Sequence, residues 1–132
     1  MIAIIDDDAF VRESVRRLVN SMNFKAEQFS SPDEFLRSEH LQHVRCIICD
    51  VQIAGDSTES FLNHLIAIGC DIPVVFMTAL NDRAKEEQLL AAGAIGVMTK
   101  PFHQTEIADR IALALGRRDI EAAGSHDPSG RQ

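Results

Sequence analysis

Four short apolar runs and a fifth, more polar one alternate along this chain with segments of helical period. That alternation constrains the fold more than any single motif. Strands that return after every helix run parallel, and a parallel sheet must be covered on both faces. The expected class is α/β, a doubly wound parallel sheet of five strands. Residues 2–5 read as the first strand. Phe10, Val11, Val15, Leu18, Val19 and Met22 recur at helical spacing, so the first helix follows. Residues 25–29 are polar and suit an edge strand. Ser31 then caps a short helix to about Arg37, with Pro32 at its first position. Residues 46–49 form the third strand. Residues 57–68 form a helix with Phe61, Leu62, Leu65 and Ile66 inward, ended by Gly69. Residues 72–77 form a fourth, central strand. Asn81 or Asp82 caps a helix that reaches Ala92 and ends at Gly93. Its outer face, "DRAKEEQ", is strongly polar and its apolar stripe is thin. Residues 95–98 form the fifth strand. Residues 103–115 form the last helix, with Ile107, Ile111 and Leu115 inward.

Composition fixes the class of molecule. At 132 residues the chain fits one domain, and 45% hydrophobic residues exclude a disordered one. Domain boundaries are expected at 1–116, with 117–132 as helix end and flexible linker towards a missing output domain, because the composition turns polar and turn-forming after Gly116. Twenty acids against 13 bases give a net charge of −7, which argues against nucleic-acid binding by this segment itself. No apolar run reaches membrane-spanning length, and "MIAII" is too short for a signal peptide. The expected location is the cytoplasm. Cys46, Cys49 and Cys70 then read as small core residues in a reducing compartment. Cys46 and Cys49 have C-x-x-C spacing, but residues three apart on a strand point to opposite faces and cannot share a metal. His40, His43, His64, His103 and His126 are scattered and read as surface residues.

The chemistry lies just past the strands, because ligands of a doubly wound sheet bind outside its carboxyl edge. After strand one stand Asp6, Asp7 and Asp8; after strand three, Asp50; after strand four, Thr78 and Ala79; after strand five, Lys100 and Pro101. Clustered carboxylates repel and raise one another's pKa unless a cation compensates. A hard divalent ion with oxygen ligands answers that need, and Mg²⁺ suits a site of few carboxylates that keeps water and substrate oxygens. Lys100 suits a phosphate and Thr78 can donate to it. The set is built to receive a phosphoryl group on a carboxylate, with Asp50 as nucleophile. Each residue also has a plainer reading: Asp8 as a helix N-cap, Thr78 as a strand-end residue, Lys100 as a solvated cation. It is their arrival at one edge that favours a site.

With "IIDDD" after strand one, "IICDV" at strand three, "FMTA" at strand four and "TKPF" after strand five, residues 1–116 resemble the CheY-like receiver domain of two-component response regulators. Within that family the chain is similar to receivers that precede LuxR-type helix-turn-helix output domains, the FixJ and NarL group. The resemblance implies a flavodoxin-like (βα)₅ fold with strand order 2-1-3-4-5. It implies Asp50 as phosphoacceptor, a histidine kinase as donor, and Mg²⁺ held by Asp6, Asp7, Asp50 and the backbone carbonyl of Gln52. Thr78 would be the switch hydroxyl, Lys100 the phosphate partner and Lys100–Pro101 a cis bond. Such a domain is a self-phosphorylating and self-dephosphorylating phosphoacceptor rather than a conventional enzyme. A surface from about Leu89 to Val97, with the last helix, would form a homodimer on phosphorylation, and DNA would be reached only through an output domain. Three positions depart from the family pattern. Ala54 stands where a proline is common, Thr58 where a glycine is common, and Val97 where Phe or Tyr is usual.

Readings from other classes fit less well. A haloacid-dehalogenase-like phosphatase needs a second carboxylate two residues past the nucleophile, where this chain has Gln52. A flavodoxin-like cofactor module must accept a phosphate in its first loop, and three aspartates repel one. The chain also lacks the Trp and Tyr that stack on flavin. A receiver-like module that acts through protein contacts without phosphoryl turnover stays the nearest alternative, and the presence of every acceptor residue weighs against it.

Overall fold

In the computed structural model the main chain is described for residues 1–39, 41–52, 58–79, 82–101 and 103–122, and the side chains for these except 58, 59 and 117–122. The expectations at Ala54, Ser57, Asn81, His40 and His126 lie outside the described residues. Five strands, β1 (Ile2–Ile5), β2 (Ala26–Phe29), β3 (Cys46–Asp50), β4 (Val74–Thr78) and β5 (Gly96–Thr99), alternate with α1 (Ala9–Ser21), α2 (Pro32–Leu36), α3 (Thr58–Ala67), α4 (Arg83–Ala91) and α5 (Gln104–Ala122). A single 3₁₀ turn, Leu41–His43, precedes β3. All strand pairs are parallel, in the order β2-β1-β3-β4-β5. This is the flavodoxin-like sheet that the alternating pattern and the family resemblance foretold.

Two cores sit on the two faces, sorted by strand parity. Ala3, Ile5, Ile47, Cys49, Val74, Phe76 and Val97 pack with Phe35 of α2, Phe61, Leu62 and Leu65 of α3 and Leu89 of α4. Ile2, Ile4, Cys46, Ile48, Val75, Met77 and Met98 pack with Val15 and Val19 of α1 and Ile107, Ile111 and Ala114 of α5. The strand period of two divides each run between the faces. Cys46 and Cys49 fall on opposite sides, as their spacing required. Burial pushes the Cys46 thiol up to about 12 and the Cys49 thiol well above its ordinary value.

Helix caps follow the local chemistry. The Asp8 carboxylate accepts from the amides of Phe10 and Val11 at 2.9 and 3.4 Å, so the N-cap reading of Asp8 holds. Ser31 accepts from Glu34 N–H at 3.1 Å with Pro32 at the first position. Asp82 caps α4 through Lys85 N–H at 3.1 Å. Gly69 and Gly93 follow α3 and α4 at φ of 76° and 120°, values that a side chain would strain.

One inward assignment fails: Ile66 is 64% exposed, while Phe61, Leu62 and Leu65 are buried. Phe10, at the start of α1, is 84% exposed. Leu115 is partly buried and packs against the α1/α5 core with Ile107, Ile111 and Ala114. α5 passes through Gly116 and runs to Ala122, the last described residue, beyond the span to Leu115 read from its apolar face. A helical glycine costs about 1 kcal/mol but does not stop a helix whose flanks favour it. His43, His64 and His103 are exposed, as expected.

Candidate acidic site at the carboxyl edge

The parity that divides the core also aims the site. Asp6, Asp50 and Lys100 each stand two residues past a side chain of the α1/α5 core, namely Ile4, Ile48 and Met98. Their side chains meet there. Asp6 is 1% and Asp50 6% exposed, the two buried charged residues among those described. One carboxylate oxygen from each of Asp6, exposed Asp7 and Asp50 lies within 4.8 Å of the others. Lys100 Nζ is 3.5 Å from Asp6 Oδ2 and 3.5 Å from Asp50 Oδ1. It bridges the two carboxylates that are most removed from water, where an uncompensated charge would be most costly.

The donor set is three hard carboxylate oxygens brought to one point, and this fits a hard divalent cation. Burial pushes the Asp6 carboxyl above its ordinary range, and the Asp50 charge adds to this; the Asp8 amide, donating to Asp6 Oδ1 at 2.8 Å, and Lys100 oppose it. Asp8 belongs to the helix cap and not to the carboxylate trio.

Thr78 follows Phe76 and so continues the other parity. With Val51, Gln52, Leu89, Val97 and Thr99 it lines a recess of about 270 Å³ between the sheet edge and α4. Ala79 is exposed just past it. Lys100 N–H donates to the Thr78 carbonyl at 2.7 Å, which ties the ends of β4 and β5 together. The Lys100–Pro101 bond is cis. The carboxyl edge thus gathers Asp6, Asp7, Asp50 and Lys100 into one cluster, with Thr78, Gln52 and Val97 around an adjoining recess.

One contact was not foreseen. Arg12 of α1 donates from Nη1 to the Asp6 carbonyl at 2.6 Å and from Nε to Gln28 Oε1 of β2 at 3.3 Å. A cation one turn past the Asp8 cap was the available signal, but sequence spacing alone did not say whether it turned to the loop or to water.

A model of the response regulator receiver domain matches residues 2–112. The chain belongs to that family. Among relatives of this receiver, the response regulator protein TodT of Pseudomonas putida is 33% identical over 115 residues, covering 87% of this chain and 51% of TodT. The transcriptional regulatory protein FixJ of Azorhizobium caulinodans is 32% identical over 114 residues, covering 86% and 54%. The receiver thus spans about half the length of these relatives. A crystal structure of a response regulator receiver protein from Burkholderia phymatum superposes with a TM-score of 0.74 at 34% identity, covering 87% of this chain and 94% of that one. No helix among the described residues is long and apolar enough to cross a membrane.

Proposed function

We propose that this receiver is a phosphoacceptor switch in which Asp50 takes a phosphoryl group from a histidine kinase. The observation that carries the reading is the position of Asp50: 6% exposed at the end of β3, with Asp6 and Asp7 oxygens and the Lys100 ammonium around it. An Asp50 carboxylate oxygen forms the bond to phosphorus as the phosphohistidine P–N bond breaks, and the freed imidazole takes its proton from solvent. Asp6, Asp7, Asp50 and the Gln52 carbonyl would hold Mg²⁺, which when bound neutralises charge on the phosphoryl oxygens. Lys100 pairs with one phosphoryl oxygen and the Thr78 hydroxyl donates to another. Ala79 belongs to the same strand end.

Drawing Thr78 and Lys100 towards the phosphoryl group biases α4, β5 and α5, a population shift supplied by contacts that only one state makes. Leu90 on α4 and Leu113 on α5 are 42% and 53% exposed, so each of these helices offers apolar surface to a contact between two copies. The relatives named as transcriptional regulators support a DNA-binding output reached through a further domain, in the cytoplasm.

Retarded mobility on a phosphate-affinity gel after treatment with a small-molecule phosphodonor and Mg²⁺ tests the reading. The expected result is a shift in the wild type and none in Asp50→Asn. A shift that survives in Asp50→Asn would move the acceptor elsewhere.

A further inference from the structure

β1 makes its last main-chain bond to β2 at Asp6, whose N–H donates to Phe29 O at 3.1 Å. Past that point the loop carries three consecutive carboxylates, and two of them, Asp6 and Asp7, have to turn towards Asp50 against their mutual repulsion. Arg12 meets the loop at its first residue. Its Nη1 donates to the Asp6 carbonyl at 2.6 Å, a short contact for a charged donor on a carbonyl. The other edge of the guanidinium is anchored, Nε donating to Gln28 Oε1 at 3.3 Å. Gln28 is oriented in its turn, since its Nε2 donates to Glu13 Oε1 at 3.0 Å. Glu13 is held by Arg16, whose Nε donates to the same Oε1 at 3.0 Å. A chain of four side chains from α1 and β2 thus ends on the main chain of the most buried carboxylate of the site.

We infer that Arg12 is a positioning residue for the acidic site: through the Asp6 carbonyl it fixes the β1–α1 loop so that the Asp6 and Asp7 carboxylates converge with Asp50, and Gln28 fixes Arg12. It acts through Asp6 and touches no phosphoryl group. The guanidinium suits the task because its planar fork serves two acceptors at once, and its fixed charge lies beneath a run of three negative ones. Groups that orient metal ligands from behind typically change metal affinity by 10- to 100-fold when removed. The inference rests on the metal-binding reading of this pocket.

Mn²⁺ binding to the full chain, read from the loss of the free-ion paramagnetic resonance signal, is the test, with thermal midpoints measured alongside. Arg12→Gln is expected to weaken Mn²⁺ binding about tenfold or more. Arg12→Lys keeps the charge and loses the fork, so it recovers part of the affinity. Gln28→Ala leaves the guanidinium unanchored and weakens binding less than Arg12→Gln; it also serves if Arg12→Gln does not fold. Lys25→Gln removes one positive charge at the opposite, amino edge of the sheet without touching the loop or the chain behind it, and leaves affinity unchanged. Arg12→Gln or Gln28→Ala protein that folds and binds Mn²⁺ as the wild type does overturns the inference, as does an equal loss in Lys25→Gln. Wild-type protein that binds no Mn²⁺ overturns the metal reading itself, and this inference with it.

Discussion

Glu13 shows how a single half-buried residue becomes a pH-dependent support. Its carboxylate accepts from Arg16 first, then from Gln28 and Arg17, and these bonds hold it at about 2, below its ordinary value of 4.5. A carboxylate depressed on folding adds stability that is present above its unfolded value and is lost as the pH falls towards its folded one. The urea midpoint of the wild type should therefore fall more than that of Glu13→Gln between pH 4.5 and about 2. The group is solvated, so the difference is small. Parallel curves would show that Glu13 is not coupled to folding. At this same scale the sequence was a good guide where chemistry was local. Asp8, Ser31 and Asp82 cap their helices because their short polar side chains reach amides two or three residues on. It was a poor guide to Arg12, whose partners Asp6 and Gln28 lie 6 and 16 residues away on two other elements.

At the scale of elements, α4 is thinly anchored in the face proposed to respond to phosphorylation. Leu89 is the one buried residue of α4, and beside it the recess of about 270 Å³ runs under Thr78 to Val97. Receivers of this family usually carry an aromatic ring where Val97 stands, and Val97 is too short to fill that space. In the proposed switch, packing against Val97 and Leu89 then carries movement of Thr78 to α4 through small side chains. Val97→Phe would add a ring that Thr78 and Leu89 both touch, and so couple them more tightly. Nuclear magnetic resonance spectra with and without beryllofluoride should show larger changes over α4 in Val97→Phe than in the wild type. Identical changes in the two proteins would mean that Val97 is not the soft link. The strands themselves were legible to within a residue or two. β4 starts at Val74 rather than Ile72 because Pro73 has no N–H to give the ladder. The apolar stripe of α3 was overread at Ile66, since periodicity reports an apolar helix face but not how much of it the neighbouring elements cover.

For the whole molecule, folding has to hold three carboxylate oxygens within 4.8 Å of one another, with Lys100 opposing only part of their repulsion. A ligand that binds the folded state alone stabilises it by mass action, by about 2.7 kcal/mol at a concentration a hundredfold above its dissociation constant. Mg²⁺ should therefore raise the thermal midpoint relative to chelator-treated protein, and Asp6→Asn should shrink that rise. Scanning calorimetry checks both, and equal rises in the two proteins would place the ion elsewhere.

What the sequence determined by itself was the sheet, the two covered faces and the roster of residues at the carboxyl edge. These depend on period and order along the chain, which are local properties written in apolar runs and caps. Strand parity even decided which residues could share a face: Asp6, Asp50 and Lys100 continue one face of their strands and Thr78 the other. Only the tertiary structure decided how these groups meet. The bridging of Asp6 and Asp50 by Lys100, the recess beside Val97 and the grip of Arg12 on the Asp6 carbonyl depend on strand register and on the seating of α1 and α4. Those distances are set by packing between segments as much as 94 residues apart, and no pattern along the chain encodes them.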